Sequence, residues 1–337
     1  MVDDGRGGEN VDHRPRPTTT VIGREPSRRT TLRSRATGPR TPGPRVPSYV
    51  SIIIPTHNAL PELDEQLDAL AEQDYSGPLE VIISDNGSTD GLRKHLAAHP
   101  LGGPLNLRWV DASDRDGAPH ARNVGSEAAQ GDLLVYAAAD DRVYPGWLSA
   151  MVAAAGEADA VGGVIEIDGI NTPEVVAWRP EPGPEEQARV FGYHPVANGC
   201  TLALWRSTYR EVGGWNEEYD LAGDDYELCL RLGVHGLTLA HAPDALVAYR
   251  LRDTLDTHWR RRITLGRVEA RLYADYREHG MPRRPPPAVL RTIGYLILRN
   301  PWMPRFIRRN NTGIWLFHAA TLLGRLRGSI ENRVFYF

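Results

Sequence analysis

The chain has 337 residues, a formal net charge of −4 and a hydrophobic fraction of 41%. That is enough apolar material for one large core with an appendage, and too little net charge to mark a general polyanion binder. The two cysteines, Cys200 and Cys229, exclude a disulfide framework and a cysteine-built zinc site, and they fit a reducing compartment.

Residues 1–47 hold ten Arg against five acids, with much Pro, Gly and Thr and few large apolar side chains. Such a stretch cannot bury enough surface to fold alone, so a disordered tail is expected. No signal-peptide core is visible, and no run reaches the ~18 apolar residues needed to span a bilayer. A cytoplasmic protein is therefore expected, with a peripheral contact at the inner face of the cell membrane as a further option.

Order is expected from Tyr49. The β-branched run Tyr49-Val50-Ser51-Ile52-Ile53-Ile54, stopped by Pro55, reads as a buried strand. Helical spacing of Leu63, Leu67 and Leu70 predicts a helix over 60–73. Further strands are predicted at 79–83, 105–110 and 132–136, separated by helices at 90–98 and 118–129. Strands alternating with helices predict βαβ units and a mostly parallel sheet flanked by helices. Beyond Ala160 the pattern changes. A strand is expected at 160–167, then a long Pro-rich loop over 169–195. Helices are predicted at 205–212 and 224–232, a strand at 245–249, and an Arg-rich helical extension from Asp253.

Six constellations offer chemistry, each with a plainer alternative. Ser84-Asp85-Asn86-Gly87-Ser88-Thr89-Asp90 follows the second predicted strand, so Asp85 lies at the rim where open α/β sheets bind ligands. A carboxylate there can accept from a ribose or a base edge. Capping explains Asp90 better than it explains Asp85. Asp140 and Asp141 end the strand at 132–136, and adjacent carboxylates repel unless a cation is shared. Hard oxygen ligands suit Mg²⁺ or Mn²⁺; surface turn acids are the plainer alternative. Asp224 and Asp225 open a helix, where acids complement the macrodipole or where one serves as a general base. Glu227 is expected to face solvent or to pair with Arg231. Trp215 offers a flat face to a sugar, or a core filler. His258-Trp259-Arg260-Arg261-Arg262 offers a phosphate grip, or a solvated basic face. Residues 313–330 are expected either to lie in a membrane interface or to pack as a terminal helix.

Together these motifs resemble the family 2 glycosyltransferases, inverting nucleotide-sugar enzymes with the GT-A fold. The likeness rests on Val50-Ser51-Ile52-Ile53-Ile54-Pro55-Thr56-His57-Asn58, the segment 84–90, Ala121-Arg122-Asn123-Val124-Gly125 with Ala129-Gln130-Gly131-Asp132, Asp140-Asp141, Gly213-Gly214-Trp215 and Asp224-Asp225-Tyr226-Glu227-Leu228. It implies a catalytic domain over 48–252 and a helical extension over 253–337. It further implies that Pro55, Thr56, Asn58, Asp85, Asn123 and Asp140 contact the nucleotide donor. Asp140 and Asp141 would hold Mg²⁺ or Mn²⁺, and Asp225, with Asp224 beside it, would deprotonate the acceptor hydroxyl. A UDP- or dTDP-sugar donor is expected, with a glycan, lipid-linked or small-molecule acceptor and no nucleic acid. Two positions depart from the family pattern: Ala138, where many members carry Asp, and Asp224, where Glu is usual. The alternatives are an inactive nucleotide-sugar-binding protein and a nucleotidyltransferase. The latter would need a Gly-rich basic loop that Pro55-Thr56-His57-Asn58 does not supply.

Overall fold

The computed structural model describes residues 43–179, 187–189, 192–303 and 311–337. Most of the expected tail, residues 1–42, and parts of the Pro-rich loop lie outside the described residues.

The chain runs β1 (Val50–Thr56), α1 (Glu62–Ala71), β2 (Leu79–Asp85), α2 (Leu92–Ala97), β3 (Leu107–Asp111), α3 (Ala118–Ala128), β4 (Leu133–Ala137), β5 (Arg142–Val143) and α4 (Trp147–Ala155). It continues with β6 (Ala160–Glu166), α5 (Pro173–Val176), β7 (Thr201–Trp205), α6 (Arg206–Val212), α7 (Asp224–Val234) and β8 (Leu239–Ala248). The C-terminal part is helical: α8 (Leu255–Tyr276), α9 (Pro286–Leu298) and α10 (Thr312–Glu331).

Eight strands form one sheet in the order β3-β2-β1-β4-β7-β6-β8-β5. The first four pair in parallel, as the alternating pattern predicts, with Thr56 opposite Asp85 and Asp85 opposite Asp111. This register lines the C-terminal ends of β1, β2 and β3 along one rim. β7 then inserts antiparallel between β4 and β6, and β6 pairs in parallel with β8. The sheet is the GT-A-type arrangement the motifs imply, with a mixed second half.

One face of the sheet is covered by Leu63, Leu67 and Leu70 of α1 and by Trp147, Leu148 and Met151 of α4, all buried against Ile52, Ile54, Val81, Ile83 and Val135. Each such side chain contributes about 1.5–3 kcal/mol on burial. α3 covers the other face. A Cβ at its Gly125 would stand 2.6 Å from Ile53 Cγ2, so glycine sets how closely α3 approaches β1.

α8 and α10 start on side-chain caps, Thr254 accepting from the Thr257 N–H and Asn311 from the Ile314 N–H. They meet nearly backbone to backbone: a Cβ at Gly324 would lie 2.2 Å from the Ile263 carbonyl oxygen. Arg325 donates to Glu269 at 2.7 Å across the same contact. Of the two readings of 313–330, the structure therefore has the packed terminal helix.

Candidate active site

Asp140 and Asp141 lie on the turn between β4 and β5. Buried Gln66 of α1 braces that turn on both sides, its Nε2 donating to the Ala138 carbonyl and its Oε1 accepting from the Val143 N–H, each at 3.0 Å. Asp141 is 1% exposed. Its Oδ1 accepts from the Arg250 N–H at 2.8 Å, Oδ2 has no hydrogen-bond partner of normal geometry, and the Cys200 thiol, a weak donor, faces the same carboxyl. Burial first, then the neighbouring Asp140 charge, push its carboxyl up to about 7. Asp140 is partly exposed, 3.8 Å from Arg252. Arg250 closes the turn, donating to the Asp140 carbonyl at 2.8 Å and pairing with Glu65 at 2.9 Å.

The second acidic pair splits by environment. Asp224 is buried and ion-paired with Arg122 of α3; burial pushes its carboxyl up to about 6, with Arg122 pulling down and Asp225 pushing up. Asp225 is only half-buried, with Oδ2 accepting from the Gly199 N–H at 3.0 Å and Oδ1 from the Tyr226 N–H at 2.8 Å. The next residue, Cys200, is buried. Its thiol is pushed well up by burial, then by Asp141, with Asp225 adding to it. The segment 198–200 thus joins two motifs more than eighty residues apart in sequence.

The loops after β1 and β2 are laced together. Thr56 is buried at the strand end. Asn58, at φ 49°, donates its N–H to Ser88 Oγ at 3.0 Å and accepts from the Thr89 N–H at 2.7 Å. Asp85 is buried, accepting from the Ser88 N–H at 2.8 Å and from Trp109 Nε1 at 3.1 Å. Each of its oxygens keeps further acceptor capacity. Pro55, Thr56, Asn58 and Asp85 therefore share the rim. Asn123 is differently placed. Its amide donates to the Trp215 carbonyl and Glu217 Oε1, and its oxygen accepts from Tyr209 and the Trp215 N–H, over 2.8–3.1 Å. All four of its hydrogen-bonding positions fix the segment 209–217.

Folding decides three readings that the sequence left open. Trp215 is a core residue, edge-on to Tyr136 at 4.9 Å with Arg122 over its ring at 4.6 Å, so it offers no open face for a sugar. Glu227 does not face solvent: it is buried in a two-point pair with Arg231 and accepts from Tyr276 at 2.8 Å. The basic run at 258–262 is not uniformly solvated. His258 is buried, and burial and then Arg179 lower the Arg262 guanidinium to about 10.

Gln66, Cys200 and Arg250 were not legible as site residues, because nothing local marks them; Arg122 sits in the quoted segment 121–125, but its pairing with Asp224 is a contact between helices that the segment does not encode. A third cluster, Asp64, His95 and His99, bridges α1 and α2. Asp64 Oδ1 lies 2.7 Å from His95 Nε2 and 3.4 Å from His99 Nε2. The Leu101 N–H donates to His99 Nδ1, so the neutral ring carries its proton on Nε2 and aims it at Asp64. As placed, the three hold one another.

Residues 51–213 match the family described as glycosyl transferase family 2, and residues 191–281 match the related glycosyl transferase family group 2. Residues 51–213 are thus a family 2 glycosyltransferase domain. It is 29% identical over 223 residues to a validoxylamine A glucosyltransferase of Streptomyces hygroscopicus, covering 56% of this chain and 52% of that one. It is 27% identical over 241 residues to polypeptide N-acetylgalactosaminyltransferase 8 of Drosophila melanogaster, covering 63% of this chain and 39% of that one. The chain thus spans about half or less of the length of these curated relatives. Among solved structures, a mannosyltransferase from Pyrobaculum calidifontis in complex with GDP-Man and Mn²⁺ aligns with a TM-score of 0.54 and 23% identity, over 84% of this chain and 88% of that one. That likeness concerns the fold. No helix of the described residues is long and apolar enough to cross a membrane.

Proposed function

We propose that this chain transfers a sugar from a nucleotide diphosphate sugar to an acceptor hydroxyl with inversion at the anomeric carbon. The carrying observation is the orphaned Oδ2 of buried Asp141, beside Asp140 at the end of β4 and linked through segment 198–200 to Asp225. An unpartnered buried carboxylate oxygen next to a second carboxylate suits a hard divalent cation, Mg²⁺ or Mn²⁺. Held by Asp140 and Asp141, that ion would offset charge growing on the leaving diphosphate. The Pyrobaculum enzyme's complex with GDP-Man and Mn²⁺ is consistent with this assignment.

Pro55, Thr56, Asn58 and Asp85 hold the nucleoside at the rim, and Asn123 contributes by fixing the segment behind it. Asp225 takes the proton of the acceptor hydroxyl while the hydroxyl oxygen bonds to the anomeric carbon. The bond from that carbon to the diphosphate breaks on the opposite side, and the diphosphate leaves with the bonding pair. Partial exposure suits Asp225 to this task, whereas Asp224 is committed to Arg122. Residues 48–252 would form the catalytic domain and 253–337 its extension.

The test is thermal stabilisation by a panel of nucleoside diphosphates and nucleotide sugars, with and without Mn²⁺, on wild type and Asp140→Ala. Metal-dependent stabilisation by one base, lost in the variant, is the expected outcome. Indifference of the wild type to every ligand would remove the donor site and the transfer reading together.

A further inference from the structure

α9 is unlike the other long helices: none of its 13 residues is buried. Its inner side is held to α10, where Trp315 Nε1 donates to the Leu296 carbonyl at 2.9 Å and Tyr295 meets His318 edge-on at 4.7 Å. Its outer side is apolar. Leu290, Ile293 and Ile297 follow helical spacing along one stripe and are 68%, 40% and 61% exposed. Leu298 adjoins the stripe at 61%, and just past the helix end Trp302 stands 87% exposed beside Met303. Scattered surface leucines need no explanation, but six large apolar residues within 14 positions make a contiguous patch.

The charge around this patch is one-sided. From His279 to Ile330 the sequence has nine Arg and no Asp or Glu, although the whole chain is net negative. Arg283 and Arg291 are exposed before and on the helix and Arg299 stands at its end, whereas Arg284 is partly buried and Arg325 is paired with Glu269. An apolar stripe with a Trp at one end and arginines along it is the composition of a helix lying in a bilayer interface. The same charge disfavours a second copy of this face, because pairing would bring arginines onto arginines with no acid in the segment to balance them.

We propose that the outer face of α9, with Trp302, docks peripherally on an anionic phospholipid surface. The apolar side chains enter the boundary between headgroups and acyl chains while the arginines stay at headgroup level. Thirteen residues lie along a membrane and are too short to cross it. This inference does not rest on the transfer reading, since no residue of the candidate active site lies on α9.

Flotation of the full chain with phosphatidylcholine vesicles, and with vesicles containing about a third phosphatidylglycerol, tests it. Binding to the anionic vesicles only, weakened by added salt, is expected. Ile293→Asp and Ile297→Asp together should lower the partition coefficient by about tenfold or more. Because α9 buries no side chain, the circular dichroism and melting point of that variant should match wild type. Brominated lipid should quench wild-type fluorescence, and Trp302→Phe should remove that component. Unchanged partitioning of the double variant, or equal binding to neutral vesicles, would overturn the proposal. So would a wild-type dimer in light scattering that the double variant abolishes, which would make the face a contact between copies. Nucleoside diphosphate release without vesicles is measured in parallel, so failure of docking and failure of the transfer reading are told apart.

Discussion

Replacing Asp224 and Asp225 by Asn, one at a time, separates two neighbouring carboxylates that the fold puts to different uses. Asp224 and Arg122 have side chains only 10% and 11% exposed. Burying such a pair gains little net stability, because desolvation consumes the attraction. Breaking it is costly, because a buried guanidinium is left uncompensated. Removing one partner costs about 3–5 kcal/mol. The Asn oxygen can still accept from Arg122, so Asp224→Asn should lose about 3 kcal/mol and roughly 6 °C in Tm. Asp225→Asn keeps an acceptor oxygen for one of its two backbone partners and should lose only about 1 kcal/mol. Its activity should nevertheless fall about 10²–10⁴-fold, the usual contribution of a positioned base. The assay pairs thermal unfolding with acceptor-dependent release of nucleoside diphosphate. An Asp225→Asn enzyme working at the wild-type rate would refute the reasoning. So would an Asp224→Asn enzyme that melts like wild type but does not turn over.

Glu227→Ala should be among the most damaging single changes outside the active site. It strips a buried Arg231 of its carboxylate and leaves Tyr276 only the longer bond to the backbone carbonyl of residue 227, for about 3–5 kcal/mol in urea unfolding, whereas Tyr276→Phe should cost about 1–2 kcal/mol. Gly125→Ala should lose about 1–3 kcal/mol, because the new methyl would press on Ile53 Cγ2; an unchanged urea midpoint would show that α3 can shift freely. His258 governs part of the acid sensitivity. Burial, then Arg262 and Arg179, lower its pKa from 6.5 to about 4. The unfolded chain takes up this proton near pH 6.5 and the folded chain only near 4, so stability falls as pH drops through that window. His258→Leu should flatten this slope, read as urea midpoints at pH 7 and 5.

The parallel half of the sheet was legible because its signals are local. β1, β2 and β4 are β-branched or leucine-rich runs ended by turn residues, and α1 shows its buried stripe in the spacing of Leu63, Leu67 and Leu70. The second half was not. β7 lies in Thr201–Trp205, where only a helix starting at Trp205 was expected, because its strand character comes from antiparallel pairing with β4 and β6, both distant in sequence. β8 begins at Leu239 rather than Ala245, since Ala and His gain strand structure there only by pairing with β6. α4, Trp-Leu-Ser-Ala-Met-Val-Ala-Ala-Ala, has too little polar contrast to reveal a buried face and went unpredicted.

The site divides in the same way. Sequence alone determined that acids cluster at a strand end and at a helix start, because residue type and punctuation are local. Only the tertiary structure decided which acids are committed and which are open. Arg122 reaches Asp224 from another helix, the Gly199 N–H holds Asp225, and Arg250 closes the turn that leaves Asp141 Oδ2 without a partner. A carboxylate's burial and its partners belong to contacts across the fold, and no spacing along the chain encodes them.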